Sequence, residues 1–154
     1  MKILVTGGAG FIGSALVRYL IQETENSVIN FDKLTYAGNL ESLKDVEDSS
    51  RYNFEKVDLI EKELLLDAFF RHKPDVVMHL AAESHVDNSL KDPEAFISTN
   101  ILGTYNLVEV IKEYFKELPE DNKNKFRLHH ISTDEVYGEL NPEEPSFTES
   151  SRYL

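Results

Sequence analysis

Thr133, Asp134 and Glu135 place a hydroxyl and two carboxyl groups on three successive residues, directly after an apolar run that ends at Ile131-Ser132. Adjacent carboxyl groups suit an elimination, in which one gives a proton to a leaving hydroxyl while the other takes a proton from carbon. Their mutual repulsion and partial burial would help hold one of them protonated near neutral pH. Thr133 would offer its hydroxyl to a substrate oxygen. Asp and Glu are also common turn residues, so the alternative is a loop that merely caps a strand. A second polar group, Glu83-Ser84-His85 with Asp87, follows another apolar run, Asp75 to Leu80. Both groups need a scaffold that gathers strand ends on one side.

That scaffold begins at the amino terminus. Ile3-Leu4-Val5 reads as a short, buried strand of a parallel sheet, and it runs into Thr6-Gly7-Gly8-Ala9-Gly10-Phe11-Ile12-Gly13. Gly7, Gly10 and Gly13 stand where a side chain would obstruct, in turn, the tight bend, the approach of a diphosphate, and the packing of helix on strand. A helix opening at Phe11 points free N–H groups and its dipole at an anion. About twenty residues on, Val28 to Asp32 is a second apolar strand ending in the carboxylate that suits ribose hydroxyls. Asp32 would repel a 2′-phosphate and so argues for NAD, with Lys33 beside it pulling the other way. Such a turn also occurs as a plain strand-to-helix connection, but here strand, glycines, helix, strand and acid are in register.

Further strands are expected at Tyr52 to Val57, Asp75 to Leu80 and Lys125 to Ser132, the fourth buried on both faces and the fifth increasingly buried toward its end. Helices are expected from Phe11, over Glu61 to Arg71 with Leu64, Leu65, Ala68 and Phe69 inward, and from Asp92-Pro93 to about Lys116. Leu118 to Asn124 reads as a polar loop. The long helix carries two apolar stripes. Ile97, Ile101, Thr104, Val108, Ile111 and Phe115 are expected to pack on the sheet, and Phe96, Gly103, Leu107, Val110 and Tyr114 to want a second neighbour. The fold class is α/β: a doubly wound parallel sheet, or Rossmann fold, with five strands in order 3-2-1-4-5. Residues 1–138 form this domain, and 139–154 form a polar segment expected to lead into further sequence.

Sixteen basic against 28 acidic residues give a formal charge of −12, which argues against nucleic acid or an anionic membrane as a partner. There is no cysteine, and the five histidines form no H-x-x-x-H pair, so no metal site is expected. His79, mid-strand between Met78 and Leu80, reads as a hydrogen-bonded core residue. No apolar run is long enough to span a membrane, and a cytoplasmic location is the default expectation.

Three stretches carry a resemblance to a known family: Asp32-Lys33-Leu34-Thr35-Tyr36-Ala37-Gly38-Asn39-Leu40, Ala81-Ala82-Glu83-Ser84-His85-Val86-Asp87, and Ser132-Thr133-Asp134-Glu135-Val136-Tyr137-Gly138. Together with the Gly7-x-x-Gly10-x-x-Gly13 spacing they closely resemble the dTDP-glucose 4,6-dehydratases of the extended short-chain dehydrogenase/reductase family. The resemblance implies an internal redox cycle on a nucleotide sugar, dTDP-glucose, with NAD as cofactor. It implies that Glu135 takes the C5 proton, Asp134 protonates the leaving C6 hydroxyl and Thr133 holds the C4 oxygen. Ser84 and His85 would line the sugar pocket. Gly7, Gly10, Phe11, Ile12, Gly13, Asp32, Lys33, Leu34, Thr35, Asp58, Leu59, Leu80, Ala81, Ala82, Ser84 and Thr99 would hold NAD. Asn88 stands where the family is expected to have arginine. The family also continues into a Tyr-x-x-x-Lys helix and a substrate lobe; after the triplet here, Tyr137 is followed at the fourth position by Asn141. The expectation is an amino-terminal portion, inactive alone, whose full-length enzyme is a homodimer.

Overall fold

Five parallel strands, β1 (Lys2–Thr6), β2 (Ser27–Asp32), β3 (Tyr52–Lys56), β4 (Val76–His79) and β5 (Arg127–His130), form one sheet in the order β3-β2-β1-β4-β5. The computed structural model describes every residue of the chain except Val86, which falls within the 81–87 run named above. Alternation along the strands divides the core into two layers. Ile3, Val5 and Val28 face helix α1 (Phe11–Gln22), where Leu20 and Ile21 lie one turn beyond Val17. Leu4, Ile29, Phe31 and Val77 face the opposite way, toward α2 (Lys62–His72) and the long helix. A central strand packed on both faces has to be apolar at every position, which is why Ile3 to Val5 shows no polar alternation.

Between β4 and β5 lie α3 (Val86–Lys91), α4 (Pro93–Phe96), a π-helical segment (Ile97–Gly103), α5 (Thr104–Glu117) and α6 (Glu120–Lys123). The Asp92 carboxylate caps α4, accepting from Ala95 N at 3.3 Å, with Pro93 at the first helical position as expected. The inward face of the long helix is not the one expected. Leu107 and Val110 are fully buried with Tyr114 beside them, whereas Ile97 and Ile101 are 58% and 65% exposed, and Val108 and Phe115 are exposed as well; only Ile111 of the first stripe is buried. Two polar groups select this face. Asn106 donates to the carbonyls of Leu59 (3.0 Å) and Ile60 (3.2 Å), and the Tyr114 hydroxyl donates to Pro74 O (3.2 Å). Ile97 and Ile101 lie within the wider π turns, whose larger number of residues per turn takes them off the face that α5 buries.

Other departures have similar causes. Leu64 is exposed, because Leu65, Ala68 and Phe69 already fill the inward arc of α2. In β4, Val77 and His79 are buried but Val76 and Met78 only partly. All four residues of β5 are exposed, since it pairs with β4 along one edge and, among the described residues, no strand lies beyond it. The Leu118 to Asn124 stretch contains α6, which starts from Pro119.

The α1 end is closed by Arg51, whose guanidinium donates to the carbonyls of Ile21 (2.5 Å), Thr24 (2.8 Å) and Asn26 (2.6 Å). A cation there also meets the negative end of the helix dipole. Arg51→Ala is expected to cost about 2 kcal/mol in urea unfolding, because charged hydrogen bonds to partly buried carbonyls are lost. Arg51→Lys should recover less than half of it, since one ammonium lacks the fork that reaches three acceptors.

Candidate active site

The carboxyl ends of the strands surround one cavity of about 480 Å³, at the point where strand order reverses between β1 and β4. Its floor is the glycine turn. Gly7 has φ +72°, and a Cβ there would come within 2.8 Å of Ala81 N and Cα. A Cβ on Gly13 would collide with the Gly7 carbonyl and sit 2.8 Å from Gly8 Cα. Gly10 is different: within the protein its Cβ would meet only Gly7 O, at 3.3 Å, so the space it leaves belongs to the cavity. Above it, α1 starts with no side-chain cap and no acidic residue in its first turn. Its first N–H groups and the positive dipole end therefore stay available for an anion.

Asp32, ending β2, ties the turn to the next loop: its carboxylate accepts from Ala9 N (2.9 Å) and Leu34 N (2.8 Å), one bond to each oxygen. Each oxygen keeps a further lone pair for a ligand hydroxyl. Lys33 Nζ donates to Thr99 Oγ1 at 2.9 Å and lies 3.9 Å from the Asp58 carboxylate. Its charge is thus engaged across the cavity by the loop after β3 and the π segment.

Of the residues expected to hold NAD, Gly7, Gly10, Phe11, Ile12, Gly13, Asp32, Lys33, Thr35, Asp58, Leu59, Leu80, Ala81, Ala82, Ser84 and Thr99 all line this cavity. Leu34 does not; it takes φ +58° and packs its side chain near Gly38. The walls also include residues that the sequence reading omitted, among them Phe31, Val57, Glu83 and Ile131. Phe31 and Val57 immediately precede the strand-end acids Asp32 and Asp58, a signal that was present in the sequence. Glu83 is held by Asn100, which accepts from its N–H (2.8 Å) and donates to its carbonyl (2.9 Å).

The chemical triplet is placed apart from that set. Thr133, Asp134 and Glu135 are exposed and off the cavity wall, in and before a single 3₁₀ turn, Asp134–Tyr137, with the Thr133 hydroxyl donating to the Glu135 carboxylate. The contribution of this connection to the wall is Ile131, two residues earlier. His85 is also off the wall, at the start of α3, while Ser84 is on it. One Tyr-x-x-x-Lys spacing does occur, Tyr52 to Lys56, but it runs along β3, where four residues span about 13 Å. Tyr52 is engaged by Asn30 Nδ2 (3.0 Å), and burial raises its phenol above the usual range. Among the described residues no cluster of three His, Cys, Asp or Glu side chains could hold a metal ion, and no helix is long and apolar enough to cross a membrane.

A parallel 3-2-1-4-5 sheet, a glycine turn opening onto a cavity at the strand-order switch, and an acid ending β2 define a nucleotide-binding Rossmann domain. The family model described as GDP-mannose 4,6 dehydratase matches residues 4–153. The chain belongs to that family. It is 60% identical to dTDP-glucose 4,6-dehydratase 1 of Escherichia coli over 161 residues, covering 99% of this chain and 45% of that protein. Crystal structures of the dTDP-glucose 4,6-dehydratases of Bacillus anthracis and Streptomyces venezuelae, both with NAD, superpose with TM-scores of 0.81 and 0.84 at 39% and 38% identity. They cover all of this chain and 44% and 45% of those proteins. The chain spans less than half the length of the curated relatives it matches.

Proposed function

We propose that the cavity binds NAD and that the chain is the cofactor-binding part of a dTDP-glucose 4,6-dehydratase. The observation that carries this reading is the Thr133-Asp134-Glu135 triplet, set two residues past Ile131 on the same sheet end as the glycine turn and Asp32. Bound NAD would supply a hydride acceptor and then a hydride donor to the sugar. The diphosphate would lie over Gly10 on the N–H groups of α1, and the Asp32 carboxylate would accept from ribose hydroxyls. In the dehydration, Thr133 would hold the sugar C4 oxygen, Asp134 would give its proton to the departing C6 hydroxyl, and Glu135 would take the C5 proton. Ser84 and His85 would face the sugar. In the full-length enzyme the exposed Ile97, Ile101 and Val108 face would meet a second subunit.

A second reading for residues 1–154 is an NAD-binding module without turnover, favoured by the exposed position of Thr133, Asp134 and Glu135 off the cavity wall. Calorimetric titration with NAD and with NADP, followed by an assay for 4-keto product from dTDP-glucose, separates the two. NAD binding in preference to NADP is expected. Product formation supports the dehydratase for this chain, and binding without product leaves the module reading. No binding of either nucleotide overturns both.

A further inference from the structure

Thr6, the residue before Gly7, is completely buried, and its hydroxyl oxygen accepts from both Leu80 N and Ala81 N at 3.2 Å. A hydroxyl has two acceptor sites and one proton. With both sites taken, the proton goes to His79 Nδ1, 2.7 Å away. Nδ1 is therefore the acceptor of the imidazole, and its proton sits on Nε2, which donates to Thr104 Oγ1 at 3.0 Å. Leu80 N–H is shared with the Thr6 carbonyl, also at 3.2 Å, so it is the Ala81 N–H, with Thr6 Oγ1 as its acceptor, that favours this tautomer most.

The wire Thr6–His79–Thr104 joins β1, β4 and α5 beneath the cavity. Ala81, held by the Thr6 hydroxyl, is also the residue whose backbone bounds Gly7 so closely that no Cβ fits between them. Gly7, Leu80 and Ala81 all line the cavity. We infer that His79 is a positioning residue for the dinucleotide: held as the Nε2–H tautomer by Thr104, it orients the Thr6 hydroxyl and so sets the gap between the glycine turn and the loop after β4. This rests on the NAD reading above. In the other tautomer Nδ1–H would point a third donor at Thr6 Oγ1, and either Ala81 N–H would lose its acceptor or Leu80 N–H would be left with the Thr6 carbonyl, 3.2 Å away, alone.

The test uses the 154-residue chain. Two-dimensional ¹⁵N–¹H spectra of the imidazoles are recorded on wild type and Thr104→Val, and NAD is titrated calorimetrically into wild type, Thr104→Val, His79→Leu and His79→Asn. The wild type should show protonated Nε2 and unprotonated Nδ1 at His79. Thr104→Val, which removes the acceptor of Nε2–H, should weaken NAD about tenfold, the scale of one buried hydrogen bond left unmade. His79→Leu should lose at least as much. His79→Asn, whose amide oxygen can take the place of Nδ1, should recover most of that loss. A protonated Nδ1 in the wild type overturns the inference, as does His79→Leu binding NAD as tightly as wild type. Failure of the wild type to bind NAD overturns the cofactor reading, and the positioning role with it.

Discussion

Gly10→Ala should leave the fold intact and weaken NAD binding about 100-fold, while Gly13→Ala should destabilise the fold itself. Alanine normally stabilises a helix by up to ~1 kcal/mol relative to glycine, and Gly13 lies inside α1, so propensity alone forecasts a gain. The packing reverses the sign. A methyl at Gly13 runs into the Gly7 carbonyl and the Gly8 backbone, which cannot move without reopening the turn. The expected loss is about 3 kcal/mol in urea unfolding, at the upper end of ordinary overpacking. At Gly10 the backbone has φ −76° and ψ 177°, open to any residue, and the nearest protein atom to a new Cβ is 3.3 Å away. The methyl would instead occupy the space of the proposed diphosphate. Unfolding free energy should change by less than about 0.5 kcal/mol, while NAD affinity falls about 100-fold, or ~3 kcal/mol. Undiminished NAD binding by Gly10→Ala would remove the diphosphate from that position.

Acidification should destabilise the protein through His79. Burial, reinforced by the neighbouring His130 ring at 5.0 Å between centroids, lowers the His79 pKa from 6.5 to about 4. The folded imidazole thus stays neutral over a range in which the unfolded one takes up a proton. The unfolded state binds more protons there, so stability is full above pH 6.5 and is lost as pH falls toward 4. The whole shift corresponds to about 3 kcal/mol, and most of it should be spent between pH 6.5 and 4.5. The structural reason is that protonated Nδ1 can no longer accept from Thr6, and the ring is only 2% exposed. Urea unfolding as a function of pH should show this slope in the wild type and lose it in His79→Gln, which has no group to titrate. An equal slope in both proteins would assign the acid sensitivity elsewhere.

Much of this site was legible in the residues because its requirements are local. The glycines, the strand that precedes them and the acid ending β2 each answer a constraint that acts within a few residues: a backbone bend, a close approach, a carboxylate at a strand end. Strand order followed from the same logic, since short apolar strands alternating with helical stretches leave few ways to build a parallel sheet. The chemical triplet was visible as residue types, but its distance from the cavity wall was not. That depends on how the chain leaves β5, whose two faces are uncovered.

The long helix marks the boundary most clearly. Its sequence determined that a helix would run from Asp92-Pro93 to about Lys116 and that two stripes would be apolar, because periodicity is written in the residues themselves. Which stripe turned inward was decided only when Asn106 met the Leu59 and Ile60 carbonyls, Tyr114 met Pro74, and the π segment rotated Ile97 and Ile101 outward. Buried polar groups must find partners, and those partners come from distant parts of the chain. The His79 tautomer belongs to the same class. A histidine in an apolar strand announces burial, but only Thr6 and Thr104, 73 and 25 residues away, decide where its proton sits.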